Sequence, residues 1–247
     1  MIAFANILFC GPAPHPCNAR CPFCIGKQIA PQRYHPNLDE YPPRGLDAFL
    51  AALREKHVRQ IVLTGTNTDP LCYRHLDRLL SYLRVQVPEG RFSLHTNGRL
   101  VERHIALVNR FDKVCISLPS FKPTTYRAMM GVTGVPRLPA ILARCTVRVK
   151  LSCIVTEQNA PEMESYLATC HRMGVRRVVL RKPFGEKFAA QAQLASLLGH
   201  PTGHFYSCMV YAFKGMEVTL WDFVHTDIES INLFSTGEVS SNYCLAA

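Results

Sequence analysis

Three closely spaced cysteines near the start of the chain could together bind a metal centre. Cys17, Cys21 and Cys24 are separated by three and then two residues, and the aromatic Phe23 directly precedes the last of them. Thiolates are the ligands of iron–sulfur clusters, so three cysteines on one loop could reach three irons of a [4Fe–4S] cube. The run has no fourth cysteine, and one iron of such a cube would therefore stay open to a substrate or cofactor.

The same thiols could instead belong to a zinc site. Structural zinc takes four cysteine or histidine ligands, and His15, Cys10 or His35 could supply the fourth. A disulfide framework is disfavoured, because nothing in the sequence indicates secretion.

The spacing Cys-x3-Cys-x-aromatic-Cys resembles the signature of the radical S-adenosylmethionine (SAM) superfamily. The resemblance implies that Cys17, Cys21 and Cys24 bind a [4Fe–4S] cluster, that SAM chelates its open iron, and that Phe23 lies against the SAM adenine. It implies an oxygen-sensitive enzyme that cleaves SAM reductively to methionine and a 5′-deoxyadenosyl radical, which then removes a hydrogen atom from a substrate. An electron donor such as flavodoxin or ferredoxin is implied as well.

Short β-rich apolar runs alternate with longer amphipathic stretches, a pattern that predicts βα units and a parallel sheet. The predicted strands are residues 6–10, 60–63, 91–95, 113–118, 147–155 and 176–180. Six units do not close an eight-stranded barrel. They suit a partial (β/α)6 barrel, the α/β fold that the resemblance also implies. We predict this barrel over residues 1–200 and a small C-terminal β-hairpin extension, packed on the barrel, over 201–247. Turn residues Lys214-Gly215 and Ser235-Thr236-Gly237 predict two hairpins in it, over 208–221 and 231–240.

Polar residues follow the second, third and fourth predicted strands, at the end where α/β barrels carry their chemistry. The resemblance implies that the loop of Gly65, Thr66 and Asn67 meets the SAM amino group. It matches Asn97, in Thr-Asn-Gly, to the motif that closes the third strand of the superfamily. It places Ser117 near the SAM ribose or carboxylate.

The fifth and sixth predicted strands carry cations. Alternation puts Arg148, Lys150 and Ser152 on one face of the fifth strand. Cations are unusual in a dry core and are expected where a strand lines a polar cavity that holds a carboxylate or phosphate. An edge strand with a solvated face is the alternative. Arg181 is a candidate to bind the SAM carboxylate or an anionic substrate, since a guanidinium binds carboxylates bidentately. We include Ser152 and Arg181 among the residues expected to bind SAM.

Composition limits the classes of protein. Hydrophobic residues make up 48% and charged residues 19%, as in a globular protein. The first residues lack the basic region of a signal peptide, and no apolar run reaches transmembrane length. We therefore expect a cytoplasmic protein without a membrane partner. A net charge of +10 favours anionic partners, but the basic residues are scattered, so nucleic acid is not favoured.

We therefore expect a radical SAM enzyme that acts on a small, anionic or nucleotide-like substrate. The alternatives are a radical SAM enzyme that modifies a peptide or protein, and a non-catalytic zinc or iron–sulfur protein. Most other cysteines lie in apolar runs and are predicted to be buried as small hydrophobic residues. Cys208 and Cys244 could contribute to a second cluster, but they lack close-spaced partners.

Overall fold

The computed structural model describes residues 2–28, 30–184, 191–222 and 229–242. The chain divides into two compact units. The first comprises Met1–Ala19, Cys24–Val114 and Ile228–Ala247, and the second comprises Arg20–Phe23 and Cys115–Asp227. The division into a barrel over 1–200 and an extension over 201–247 stays a prediction.

The first unit is built on parallel strands in the order β11-β10-β1-β2-β3. Among the described strands of this unit, β11 alone runs antiparallel to its neighbour, β10. The strands are β1 (Ile2–Phe9), β2 (Gln60–Gly65), β3 (Arg91–Thr96), β10 (Glu229–Leu233) and β11 (Val239–Ser240). The predicted hairpin at 231–240 is therefore present, and its first strand joins the sheet beside β1.

The second unit has strands in the order β5-β6-β9-β8-β7, and β4 (Lys113–Ser117) leads the chain into it. The strands β5, β6 and β9 are parallel, whereas β8 and β7 are antiparallel. These strands are β5 (Arg148–Ile154), β6 (Arg177–Arg181), β7 (Gly203–Phe205), β8 (Cys208–Phe213) and β9 (Met216–Trp221). The predicted hairpin of residues 208–221 is present as β8 and β9.

Helices follow the strands, as the sequence pattern predicts. They are α1 (Leu46–Glu55), α2 (Leu76–Gln86), α3 (Ile105–Val108), α4 (Pro123–Met130), α5 (Leu138–Arg144), α6 (Met163–Arg172) and α7 (Gln191–Leu198). The sequence pattern predicts neither the four-residue α3 nor the three-residue β7, because elements this short contain too few residues to display a period. No helix in the described ranges is both long and apolar enough to cross a membrane.

In each unit the strands have one apolar and one more polar face, because parallel neighbours in register place paired residues on the same face. In the first unit the paired residues Ile7, Leu63 and Leu94 are fully buried on the apolar face. The next residue along β1 points to the opposite face, where Asn6 Nδ2 donates to Asn232 Oδ1 at 2.7 Å. Both of these asparagines are buried.

The second unit repeats this division. Leu151, Val178 and Val218 are fully buried on one face of β5, β6 and β9, and Ser152 and Thr219 lie on the other. On the side of β5 away from β6, the carbonyl of Ser152 accepts the Leu118 N–H at 2.9 Å. The strand β5 is thus bonded on both sides, and the alternative of a solvated edge strand does not hold.

We predict that the Asn6–Asn232 bond anchors the C-terminal strand to β1. The Asn232→Leu variant should lose about 1–3 kcal/mol of unfolding free energy, since it leaves the buried Asn6 amide without its acceptor. Urea unfolding measures the loss. The double variant Asn6→Leu/Asn232→Leu should be more stable than the single one, because both polar partners are then gone. Simple addition of two losses would contradict this prediction.

Candidate functional site

The three cysteines of the motif lie on the loop that follows β1. Cys17, Cys21 and Cys24 are half-buried, and none forms a disulfide. Their number and chemistry fit an iron–sulfur cluster, which takes thiolate ligands. Among the described residues, no three His, Cys, Asp or Glu side chains are arranged to hold a metal ion. The loop thus supplies three free thiols of the kind that a cluster takes as ligands.

A buried amide beside Cys17 adds to this fit. Asn18 Nδ2 is shielded from solvent and has no hydrogen-bond partner among the described residues. Buried N–H groups are nearly always bonded, so an acceptor is expected here. A sulfur atom of a bound cluster could serve as that acceptor.

His35 and Cys10, which could supply the fourth zinc ligand, lie in surroundings that do not favour zinc. His35 Nε2 lies 2.8 Å from Glu40 Oε1. Burial raises the pKa of the Cys10 thiol, which disfavours the thiolate that zinc needs. His15, Cys10 and His35 form no metal-binding group within the described part of the chain.

Asn97, which follows β3, contacts the cysteine loop directly. Its Nδ2 donates to Asn18 Oδ1 at 2.6 Å and lies 3.7 Å from Cys17 Sγ. The Cys17 thiol is in turn 3.5 Å from Asn18 Oδ1. Three residues from two loops of the first unit therefore meet at one cysteine of the motif.

A buried carboxylate holds Asn97 in place. Asp69 Oδ2 accepts the Asn97 backbone N–H at 2.7 Å and the Thr96 hydroxyl at 2.8 Å, while Oδ1 accepts the Leu71 N–H at 2.9 Å. Burial raises the pKa of Asp69, and the three hydrogen bonds act in the opposite direction. Asp69 therefore ties the loop after β2 to the end of β3.

The loop after β2 also packs against the cysteine loop. Gly65 ends β2, and the Thr66 N–H donates to the Phe9 carbonyl at 2.8 Å. Asn67 Oδ1 accepts the Gly11 N–H at 2.9 Å, so its side-chain carbonyl is used at the base of the cysteine loop. A Cβ at Gly26 would lie 2.4 Å from the Thr66 carbonyl oxygen, so only glycine permits this approach.

The second unit holds the residues around Cys21. Arg20 N–H donates to the Met130 carbonyl at 2.8 Å, and Cys21 Sγ lies 3.6 Å from Met130 Sδ. Gly131 follows α4 with φ +66°, and a Cβ there would lie 2.5 Å from the Arg20 carbonyl oxygen. The end of α4 therefore fixes this part of the loop. Phe23, the predicted adenine contact, is half-buried.

The polar face of the strands in the second unit carries the predicted cations. Lys150 shares its face with Ser152, and Arg181 lies on the same face at the end of β6. Within the described chain Lys150 has no carboxylate at ion-pair distance. Glu217, which attracts it, is already bonded to Arg177 at 2.6 Å. Burial lowers the pKa of the Lys150 ammonium, and the guanidinium groups of Arg181 and Arg177 lower it further. This face therefore presents an excess of positive charge.

Two further predicted positions lie at strand ends of the second unit. Ser117 is the last residue of β4 and is exposed. Arg181 places its guanidinium 5.7 Å from the centre of the Trp221 ring, within the range of a cation–π interaction. The candidate second-cluster residue Cys208 is buried, and Cys244 lies outside the described residues.

Sequence reasoning did not assign roles to Asp69, Met130 and Gly131. The Asp69-Pro70 pair carries a usable signal, since aspartate before proline often caps a turn, and Asp69 caps the one that begins at Pro70. No sequence signal indicates a role for Met130 or Gly131, because that role depends on contact with Arg20 and Cys21, which are far away in the sequence.

Comparisons with known proteins address family and fold. Residues 15–143, just over half of the chain, match the family model described as the Radical SAM superfamily. No curated protein matches the chain. Among solved structures it is similar to Streptococcus suis SuiB bound to S-adenosylmethionine, with a TM-score of 0.60 and 16% identity. That match covers 80% of this chain and 46% of SuiB.

A second match is to SuiB bound to the precursor peptide SuiA. It has a TM-score of 0.57 and 14% identity, and it covers 74% of this chain and 40% of SuiB. The chain spans less than half the length of these proteins. At such identities the matches show the fold alone, and they confirm the predicted α/β fold of the radical SAM type.

We predict that the close approach of Gly131 to Arg20 is needed to position Cys21. The Gly131→Ala variant should lose most of the iron that the purified protein can bind, because its methyl group displaces the Arg20 carbonyl. Gly134→Ala is the matched control. Gly134 also has a positive φ, but a Cβ added there would have no atom within 4 Å. Iron analysis of both variants after anaerobic reconstitution provides the measurement; equal iron content would contradict the prediction.

Proposed function

The chain belongs to the radical SAM superfamily, and on that premise we propose that it binds a [4Fe–4S] cluster through Cys17, Cys21 and Cys24 and cleaves SAM reductively. The observation that carries this proposal is the motif itself. It lies within the matched residues 15–143, on the loop after β1, and all three thiols are outside disulfides.

The cofactors would supply the difficult chemistry and the chain would bind and orient them. Cys17, Cys21 and Cys24 would hold the [4Fe–4S] cluster, which would supply, with an electron from an external reductant, the reductive cleavage of SAM that leads to hydrogen abstraction from the substrate and to 5′-deoxyadenosine. Cys17 is held beside Asn18 and Asn97, and Cys21 beside Met130. The predicted SAM contacts of Phe23, Gly65, Thr66, Asn67, Asn97, Ser117, Ser152 and Arg181 stay predictions.

The substrate that we propose is a small carboxylate or phosphate. The polar face of the strands of the second unit supports this choice, because Lys150 is half-buried there without a carboxylate at ion-pair distance in the described chain. Removing a charge from water is unfavourable unless an opposite charge compensates it. An anionic substrate would provide that compensation, and the net charge of +10 would attract it.

A peptide substrate is the second candidate. Its support is the match to SuiB bound to its precursor peptide. The two candidates differ in a measurable way, since a small anion should accelerate SAM consumption by the enzyme when a panel of peptides does not.

We predict that the anaerobically reconstituted protein is brown, holds about four irons, and forms 5′-deoxyadenosine from SAM and dithionite. The Cys21→Ala variant should lose both the iron and the product. Cys145→Ala is the matched control, since Cys145 is half-buried but outside the motif, and it should retain both. Absorption spectra, iron analysis and chromatography of 5′-deoxyadenosine provide the measurements.

A colourless protein with stoichiometric zinc would overturn this proposal in favour of the zinc alternative. Continued 5′-deoxyadenosine formation by Cys21→Ala would refute the ligand assignment.

We further predict that Lys150 binds the anionic substrate. With a panel of phosphorylated and carboxylated metabolites, the compound that stimulates SAM consumption should show a KM at least tenfold higher with Lys150→Gln. Arg148→Gln is the control, because Arg148 belongs to the same face of β5 but is exposed. Equal KM values for the two variants, or stimulation by peptides alone, would contradict the prediction.

A further inference from the structure

The contact between Asn97 and Cys17 has a consequence for electron transfer, if the cluster is bound as proposed above. A neutral cysteine can donate its S–H, and in this structure Asn18 Oδ1 lies 3.5 Å from Cys17 Sγ to accept it. A thiolate that binds iron has no proton left and can only accept hydrogen bonds. Asn97 Nδ2, 3.7 Å from the sulfur, is a donor placed beside it.

The orientation of the Asn97 amide is set by its neighbours. Its Oδ1 accepts the Arg99 N–H at 3.1 Å, and its Nδ2 donates to Asn18 Oδ1 at 2.6 Å. These two bonds assign the oxygen and nitrogen ends, which would otherwise be ambiguous. Because the amide has two N–H groups, it can bond Asn18 and the Cys17 sulfur together.

Asp69 fixes the backbone from which this amide projects. Its Oδ2 accepts the Asn97 N–H at 2.7 Å and the Thr96 hydroxyl at 2.8 Å, and that hydroxyl accepts the Gly98 N–H at 3.1 Å. The turn that carries Asn97 is thus held at three successive residues. A small displacement of this turn would lengthen an N–H···S contact that is already 3.7 Å.

We propose that the Asn97 side chain donates a hydrogen bond to the Cys17 thiolate and thereby raises the reduction potential of the cluster, with Asp69 as its positioning residue. The physical reason is electrostatic. Reduction adds an electron to the cluster, and an N–H dipole directed at a ligand sulfur stabilises the added negative charge. The proposal rests on the proposed function for the presence of the cluster, and it concerns how readily that cluster accepts the electron.

The test is an electron paramagnetic resonance redox titration of the reconstituted protein. The Asn97→Leu variant, which keeps the approximate size and removes both N–H groups, should have a more negative midpoint potential than the wild type. Asn97→Asp keeps the shape, also removes the N–H donors, and should shift in the same direction. Asp69→Glu should give a smaller shift of the same sign, since it keeps the charge and the amide but displaces the turn.

The matched control is Asn109→Leu, which removes an amide from the residue that ends α3 and should leave the potential unchanged. An unchanged or more positive potential in cluster-loaded Asn97→Leu and Asn97→Asp would overturn the proposal. Loss of the cluster from both folded variants, judged by circular dichroism, would overturn it too, because Asn97 would then be needed for assembly.

Failure of the proposed function has a different signature. If the wild type binds the cluster but forms no 5′-deoxyadenosine, SAM cleavage is refuted, while the comparison of potentials still decides the role of Asn97. If the wild type binds no iron at all, both proposals are overturned.

Discussion

A buried carboxylate fixes the loops that surround Cys17 in the first unit. Asp69 gives up solvation and receives three hydrogen bonds in return, from Leu71, Thr96 and Asn97. Hydrogen bonds to a charged group contribute about 1.5–3 kcal/mol each, so together they can offset the unfavourable burial. The same bonds hold the loop after β2 against the end of β3, so the two can no longer move independently. Asp69 therefore fixes the position of Asn97, and Asn97 in turn contacts Cys17.

In each unit, one face of the strands stabilises the fold and the other face carries polar residues. Fully buried aliphatic residues such as Leu63 and Leu151 occupy one face and contribute about 25 cal/mol for each Å² of apolar surface removed from water. The opposite face does not have to be apolar, so it can carry Asn6, Ser152 or Lys150. A half-buried lysine on this face is tolerated because the packing on the other side secures the strand.

The sequence was sufficient for the features that repeat or that occupy a short stretch. Alternating runs predicted the six successive strands from β1 to β6, and the two C-terminal hairpins were predicted from their turns. The cysteine motif predicted the family, because cluster ligation imposes a fixed local spacing. By contrast, the contacts of Cys21 with Met130 and of Asn97 with Cys17 join residues far apart in the sequence. No local pattern encodes such pairs, since they arise only when the strands have set the positions of their loops.

The strand β10 pairs with β1 although most of the sequence lies between them. The ribosome therefore makes the two strands at different times. Asn6 and its partner Asn232 are 226 residues apart. A ribosome adding about 5–20 residues per second therefore makes β10 on the order of ten to forty seconds after β1. During that interval the outer edge of β1 lacks its native neighbour, and unpaired apolar strand edges are sites of aggregation. The nascent chain would therefore benefit from chaperone protection until β10 emerges.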